Sequence, residues 1–163
     1  MQFSTLLALA PLLLLPIPTT HATSSPPATP KSTFLFTADL TLGAALPPID
    51  IPGGTRLLTP VTGGTITGPA LNATVTGGTA YPLFRNKMTV EEPEIIVFGT
   101  TDKNGTFFGT LAGVGSPVDQ IVRIVIEIGG PYAYLNESFI EGEIVRGSSG
   151  STVVNAFLIE KAS

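Results

Sequence analysis

Residues 121–128 read Ile-Val-Arg-Ile-Val-Ile-Glu-Ile. The even positions, Val122, Ile124, Ile126 and Ile128, are all aliphatic. Both charges, Arg123 and Glu127, fall on the odd positions with Ile121 and Val125. Successive side chains of a strand point to opposite faces, so this period of two separates a face that is buried from one that carries charge. The same period runs through residues 33–42, TFLFTADLTL: Phe34, Phe36, Ala38, Leu40 and Leu42 share one face, opposite Thr33, Thr37, Asp39 and Thr41, with Leu35 the exception. Further strands are expected at 56–61, 65–68, 70–76, 79–84, from Ile95, at 106–113, 134–146 and 152–160. Asn104-Gly105 signals a hairpin before the 106–113 strand. Residues 45–54, ALPPIDIPGG, are expected as a loop and GSSGS, 147–151, as a turn. No stretch beyond the N-terminal segment keeps a 3.6-residue period for more than two turns. Nine or ten short strands of this kind imply an all-β fold, a single antiparallel β-barrel, because closure removes apolar edges that an open sheet would expose.

The chain has 163 residues, enough for one domain. Residues 1–22 are expected to be a signal peptide. Leu6 to Pro18 is apolar but too short and proline-broken to span a bilayer, and Thr20-His21-Ala22 has the small-x-small character of a cleavage site. The segment MQFST before it carries no Lys or Arg, which departs from the usual pattern. Residues 23–32, TSSPPATPKS, are expected as a disordered leader, and 33–163 as the barrel domain. Asn72-Ala-Thr, Asn104-Gly-Thr and Asn136-Glu-Ser are candidate glycosylation sites and fit a secreted chain. The chain has no cysteine, so a hydrophobic core and not disulfides must hold the domain together. Eight basic and twelve acidic residues leave a net charge of −4, and the basic residues are scattered singly, which argues against nucleic acid as a partner. The sole histidine, His21, lies in the signal segment. Beyond it, a Ser-His-Asp triad, a cysteine nucleophile and His- or Cys-ligated zinc are all excluded. No metal or cofactor is expected, nor stable membrane insertion. The oligomeric state is left open.

Val-Thr-Gly-Gly-Thr occurs twice in residues 61–81, VTGGTITGPALNATVTGGTAY. A phosphate-cradling loop would need a helix start and a following Lys, and neither is present. The glycine pairs are therefore expected as turns or bulges. Arg56 shares a face with Leu58 and is either exposed or paired. Arg123 and Glu127 lie on the solvent side, or, in a wide barrel, line the lumen, where Glu127 would be a desolvated base. Glu91-Glu92-Pro93-Glu94 is expected as a solvated loop. Tyr132 and Tyr134 share a face and either stack on a ligand or fill the core.

Taken together, GGTRLLTPVTGGTITGPALNATVTGGTAY (53–81), TTDKNG (100–105) and PYAYLN (131–136) resemble the DUF3237 family, also called UPF0311, over about residues 33–160. The resemblance implies a calycin-like barrel, in a form similar to secreted fungal members that accompany secondary metabolism. Arg56, Tyr134 and Asn136 match family motif positions. Where many members carry Gly-Gly-x-Asp-Trp, this chain has Gly77-Gly78-Thr79-Ala80-Tyr81, so the acid is lost. The leading expectation is a secreted barrel that binds a small apolar molecule in its lumen and steers a cofactor-independent cyclisation or isomerisation. Arg56, Glu127 and Tyr134 are then the catalytic candidates, with Arg56, Tyr81, Tyr134 and Asn136 as ligand contacts. The alternative is a non-catalytic extracellular or cell-wall interaction protein. An apolar cavity reached by Arg56 favours the first, and a lumen filled by side chains favours the second.

Overall fold

The computed structural model describes residues 26–146 and 151–162. Eight strands form the barrel: β1 (Lys31–Leu42), β4 (Thr59–Thr67), β5 (Ala73–Ala80), β8 (Glu94–Thr101), β9 (Thr106–Ser116), β10 (Asp119–Ile128), β11 (Ile140–Arg146) and β12 (Thr152–Glu160). They pair antiparallel in the order β10-β11-β12-β1-β4-β5-β8-β9, and the pairing of β9 with β10 closes the ring. Four short strands, β2 (Ile49–Ile51), β3 (Gly54–Arg56), β6 (Leu83–Arg85) and β7 (Val90–Glu92), make a flap joined to the barrel where Glu91 pairs with Gly115.

The period-two alternation of residues 121–128 governs the interior. Val122, Ile124, Ile126 and Ile128 of β10 are buried, and Ile121, Val125 and Glu127 are exposed. Leu40, Val75, Val97, Phe107, Ile140, Val154 and Ala156 join them. An eight-stranded barrel is just wide enough for such side chains to fill. They do so over most of its length.

Several elements differ from expectation. Gly63-Gly64 and Gly77-Gly78 do not end strands; β4 and β5 run through them. Each pair sits at a register shift, between Thr41 and Leu42 on the neighbouring β1 and between Val75 and Gly77 in β5. Gly64 has φ 151°, and a Cβ there would overlap the Asp39 carbonyl oxygen. A bulge that brings strands this close requires glycine. Only Gly53-Gly54 marks a turn, between β2 and β3, within the stretch expected as a loop. The barrel begins before residue 33, since Lys31 and Ser32 pair with Glu160 and Ile159. The signal segment 1–22, residues 23–25 of the expected leader and 147–150 of the GSSGS turn lie outside the described residues.

The largest correction falls on 134–146. Gly130–Glu137 forms a 3-10 helix, and the strand starts only at Ile140. Gly130 turns the chain at φ 65°, and Pro131 fits the first helical turn because it has no N–H to lose there. Asn136 then clamps the end of β10, accepting from Ile128 N at 2.8 Å and donating to Ile128 O at 2.9 Å. The helix plugs one end of the barrel. Leu135, 1% exposed, enters the core beside partly buried Tyr132. The Tyr134 hydroxyl donates to Ala70 O at 3.1 Å, and the Tyr132 hydroxyl to Asp102 Oδ1 at 2.5 Å.

This last bond makes the plug sensitive to pH. The Tyr132 hydroxyl, first among several causes, holds the Asp102 carboxyl below its ordinary value, and the same bond, again the leading cause, raises Tyr132. The carboxylate contribution is present above the unfolded value, near 3.9, and is lost as pH falls through the lower folded value. The phenol contribution is present below about 10 and is lost as pH rises through the raised folded value. Tyr132→Phe is therefore expected to melt below wild type at neutral pH. The two melting curves should converge at both extremes, which a pH series of thermal scans reads directly.

Candidate functional site

At the end opposite the plug the lumen opens into a cleft of about 420 Å³. That is within the range of small-molecule sites, roughly 300–1,000 Å³. Leu42, Leu57, Ala80, Pro82, Phe84, Pro93, Ile95 and Ile144 supply apolar walls, with Thr59 and Thr152 among them. Leu57, Pro82 and Phe84 lie in or beside the flap, so the flap forms one side of the mouth. A smaller groove of about 210 Å³ lies outside the sheet, over Ile121, Phe157 and Ile159 and between Glu141 and Glu143.

Two buried polar residues face the cleft. Glu91 is 7% exposed and Gln120 5%, and Gln120 Nε2 donates to Glu91 Oε2 at 2.9 Å and to Ser116 O at 3.0 Å. Both partners are acceptors, which fixes the orientation of the Gln120 amide. Glu91 was expected in a solvated loop, and the structure overturns this. Residues 91, 93, 95 and 97 are buried in succession, so Glu91 shares the inward face of Ile95 and Val97. Glu92 and Glu94 take the other parity, and each meets an arginine. Arg85 Nε reaches Glu92 Oε1 at 2.6 Å and Arg56 reaches Glu94 Oε2 at 2.7 Å. The Arg85 hydrogen bond holds the Glu92 carboxyl below its ordinary value. One acidic run is thus divided into two outward ion pairs and one inward carboxyl that accepts from Gln120.

The apolar cavity that the first reading expected is present at this end, but Arg56 does not reach it, and Tyr81, Glu127, Tyr134 and Asn136 do not line it either. Arg56 alternates with Leu57, which does, and its guanidinium is held by Glu94 and by Tyr81 O at 2.6 Å, 5.8 Å from the Tyr81 ring centre. The structure therefore brings Arg56 and Tyr81 together, but as a brace behind the cleft wall. Glu127 is exposed on the outer face, because the aliphatic face of β10 takes the lumen. Tyr134, 54% exposed, and Asn136 belong to the plug at the far end. Ala80, at the position where the resemblance implied an acid, lies on the cleft wall. Among the described residues no cluster of three or more His, Cys, Asp or Glu is placed to hold a metal ion, and no helix is long and apolar enough to cross a membrane.

These features define a small single-barrel protein, plugged at one pole and carrying an apolar cleft with a buried carboxylate at the other. The chain belongs to the family described as Protein of unknown function (DUF3237), which matches residues 30–123. Solved structures share the fold. A conserved protein of unknown function from Rhodopseudomonas palustris has a TM-score of 0.72 at 21% identity, covering 81% of this chain and 99% of its own. An enzyme from Penicillium herquei has a TM-score of 0.69 at 24% identity, covering 84% and 99%. A beta-barrel like protein from Acinetobacter baumannii has a TM-score of 0.67 at 16% identity, covering 82% and 99%. No curated protein matches the chain.

Proposed function

We propose that this is a secreted barrel that binds a small, largely apolar molecule in the cleft at its open end. There it holds one conformer of that molecule for a cofactor-independent cyclisation or isomerisation within secondary metabolism. The observation that carries the reading is the cleft: apolar walls around a single buried polar pair, Glu91 and Gln120. Such a site takes its affinity from the walls and its orientation from a few polar atoms. Holding the reacting atoms of a flexible molecule close together lowers the barrier to ring closure without any further chemistry. Glu91 is the group in this cleft suited to exchange a proton with the ligand, and it replaces Arg56, Glu127 and Tyr134 in that role. The likeness to a Penicillium herquei structure described as an enzyme supports a catalytic reading over a purely adhesive one.

The reading is tested with Nile red, a neutral apolar fluorophore, and by native mass spectrometry after incubation with an organic extract of the producing organism. Wild type is expected to bind the dye with a blue-shifted emission and to retain a small molecule from the extract. Thr152→Trp, which fills the cleft from β12, is expected to lose both, while Arg56→Ala, behind the wall, keeps both. Binding that survives Thr152→Trp, or no binding to wild type at all, would overturn the proposal.

A further inference from the structure

The three Asn-x-Ser/Thr motifs are alike in sequence and unlike in structure. Asn72, just before β5, clamps Gly68: its Nδ2 donates to Gly68 O at 3.1 Å and its Oδ1 accepts from Gly68 N at 3.3 Å. Its own carbonyl accepts from Asp102 N at 3.0 Å. Asn136 clamps Ile128 in the same two-bond manner, as described above. In both, Nδ2, the atom to which an N-linked glycan is attached, already serves a backbone carbonyl. Asn104 is different. It sits in the β8–β9 hairpin turn at φ 59°, a backbone conformation that asparagine tolerates well. It is exposed, as is Thr106 two residues on, and among the described residues its side chain makes no hydrogen bond.

We propose that Asn104 is the N-glycan attachment site of the folded protein, and that Asn72 and Asn136 are structural amides that the fold keeps unmodified. The donor is an oligosaccharide carried on a lipid pyrophosphate. The bond from Asn104 Nδ2 to the anomeric carbon forms as the bond from that carbon to the pyrophosphate oxygen breaks. The pyrophosphate leaves with the electron pair, and one amide proton is released. At Asn104 this displaces no hydrogen bond among the described residues. At Asn72 or Asn136 it leaves a single N–H and sets a bulky sugar against the backbone residue that the amide clamps. A chain modified there folds with a damaged β4–β5 turn or a loosened plug. All three motifs lie at the plugged pole, so a glycan on Asn104 projects away from the cleft and leaves ligand entry unobstructed.

The inference rests on the secretory reading for its setting, and the experiment separates the two. The full chain is expressed in a secreting eukaryotic host, once with its own N-terminus and once behind a heterologous secretion leader. Glycan occupancy of the secreted, cooperatively melting protein is mapped by peptide mass spectrometry. Behind the heterologous leader, one glycan is expected, on the peptide containing Asn104. Asn104→Gln should abolish the mass shift with an unchanged melting temperature, whereas Asn136→Gln should lower the melting temperature and keep the glycan. Occupancy of Asn72 or Asn136 in the folded protein, or an empty Asn104, would overturn the assignment. Secretion behind the heterologous leader alone, with Asn104 occupied, would overturn the secretory reading and uphold the site.

Discussion

Leu135→Ala is expected to lower the free energy of unfolding by about 2–5 kcal/mol, the usual cost of emptying a fully buried leucine site. Leu135 is the one residue of the 3-10 helix that is fully buried. It packs within the same core as Leu71, Phe107, Ile128 and Ile140. A plug that closes a barrel end is part of the cooperative core only if its anchor carries this much. Tyr134→Phe, on the same helix, removes one exposed hydrogen bond to Ala70 O and is expected to cost no more than about 1 kcal/mol. Chemical denaturation of both variants measures the contrast. A Leu135→Ala loss below about 1 kcal/mol would mean that the barrel folds without its plug.

The second large effect concerns charge in the cleft. Ionised, the Glu91 carboxyl among apolar walls would attract a nearby cation and repel an anion by several times what it would in water, on the order of 4 kcal/mol at 4 Å for an effective dielectric of about 20. Even a small part of this is easily measured. 1-Naphthylmethylammonium is expected to bind at least ~10-fold more tightly than 1-naphthoate, equivalent to about 1.4 kcal/mol. Glu91→Gln, which keeps the side-chain shape, should erase the preference and leave Nile red binding close to wild type. Fluorescence titration of the two probes against both proteins decides it. Equal affinities in wild type would remove Glu91 from the proposed site.

The barrel was legible because its strands carry a period of two that no helix can mimic. In β10 even the choice of inward face followed from four aliphatic residues and two charges. The glycine pairs misled on where strands end, since a turn and a bulge make the same demand for a residue without a side chain. Only the pairing partner, Asp39 O behind Gly64, tells them apart. The 3-10 helix was unreadable for a similar reason: Tyr132 and Tyr134 alternate as a strand would, and the clamp of Asn136 on Ile128 joins residues eight positions apart. The cleft was half hidden. Glu91 shares the odd parity of Ile95 and Val97, and Gln120 the even parity of Val122 and Ile124, so each could have been placed inward by extending its strand. The density of charge at 91–94 masked the first, and starting β10 at Ile121 instead of Asp119 omitted the second. Arg56 lies beside the candidate cleft without lining it: it is bonded to Tyr81 O and Glu94, and its neighbour Leu57 takes the place on the wall.

By strand pairing the flap joins the barrel at one residue couple, Glu91 with Gly115, with the Gln120–Glu91 and Arg56–Glu94 side-chain bonds beside it, while the ring of eight strands closes without it. Closure of the ring thus does not depend on the flap strands, whereas the cleft draws its walls from both parts: Leu57, Pro82 and Phe84 in or beside the flap, Leu42, Ile95 and Ile144 in the barrel. A change at Phe84, in the flap, would therefore reshape the mouth of the cleft without touching the strand pairs that close the ring.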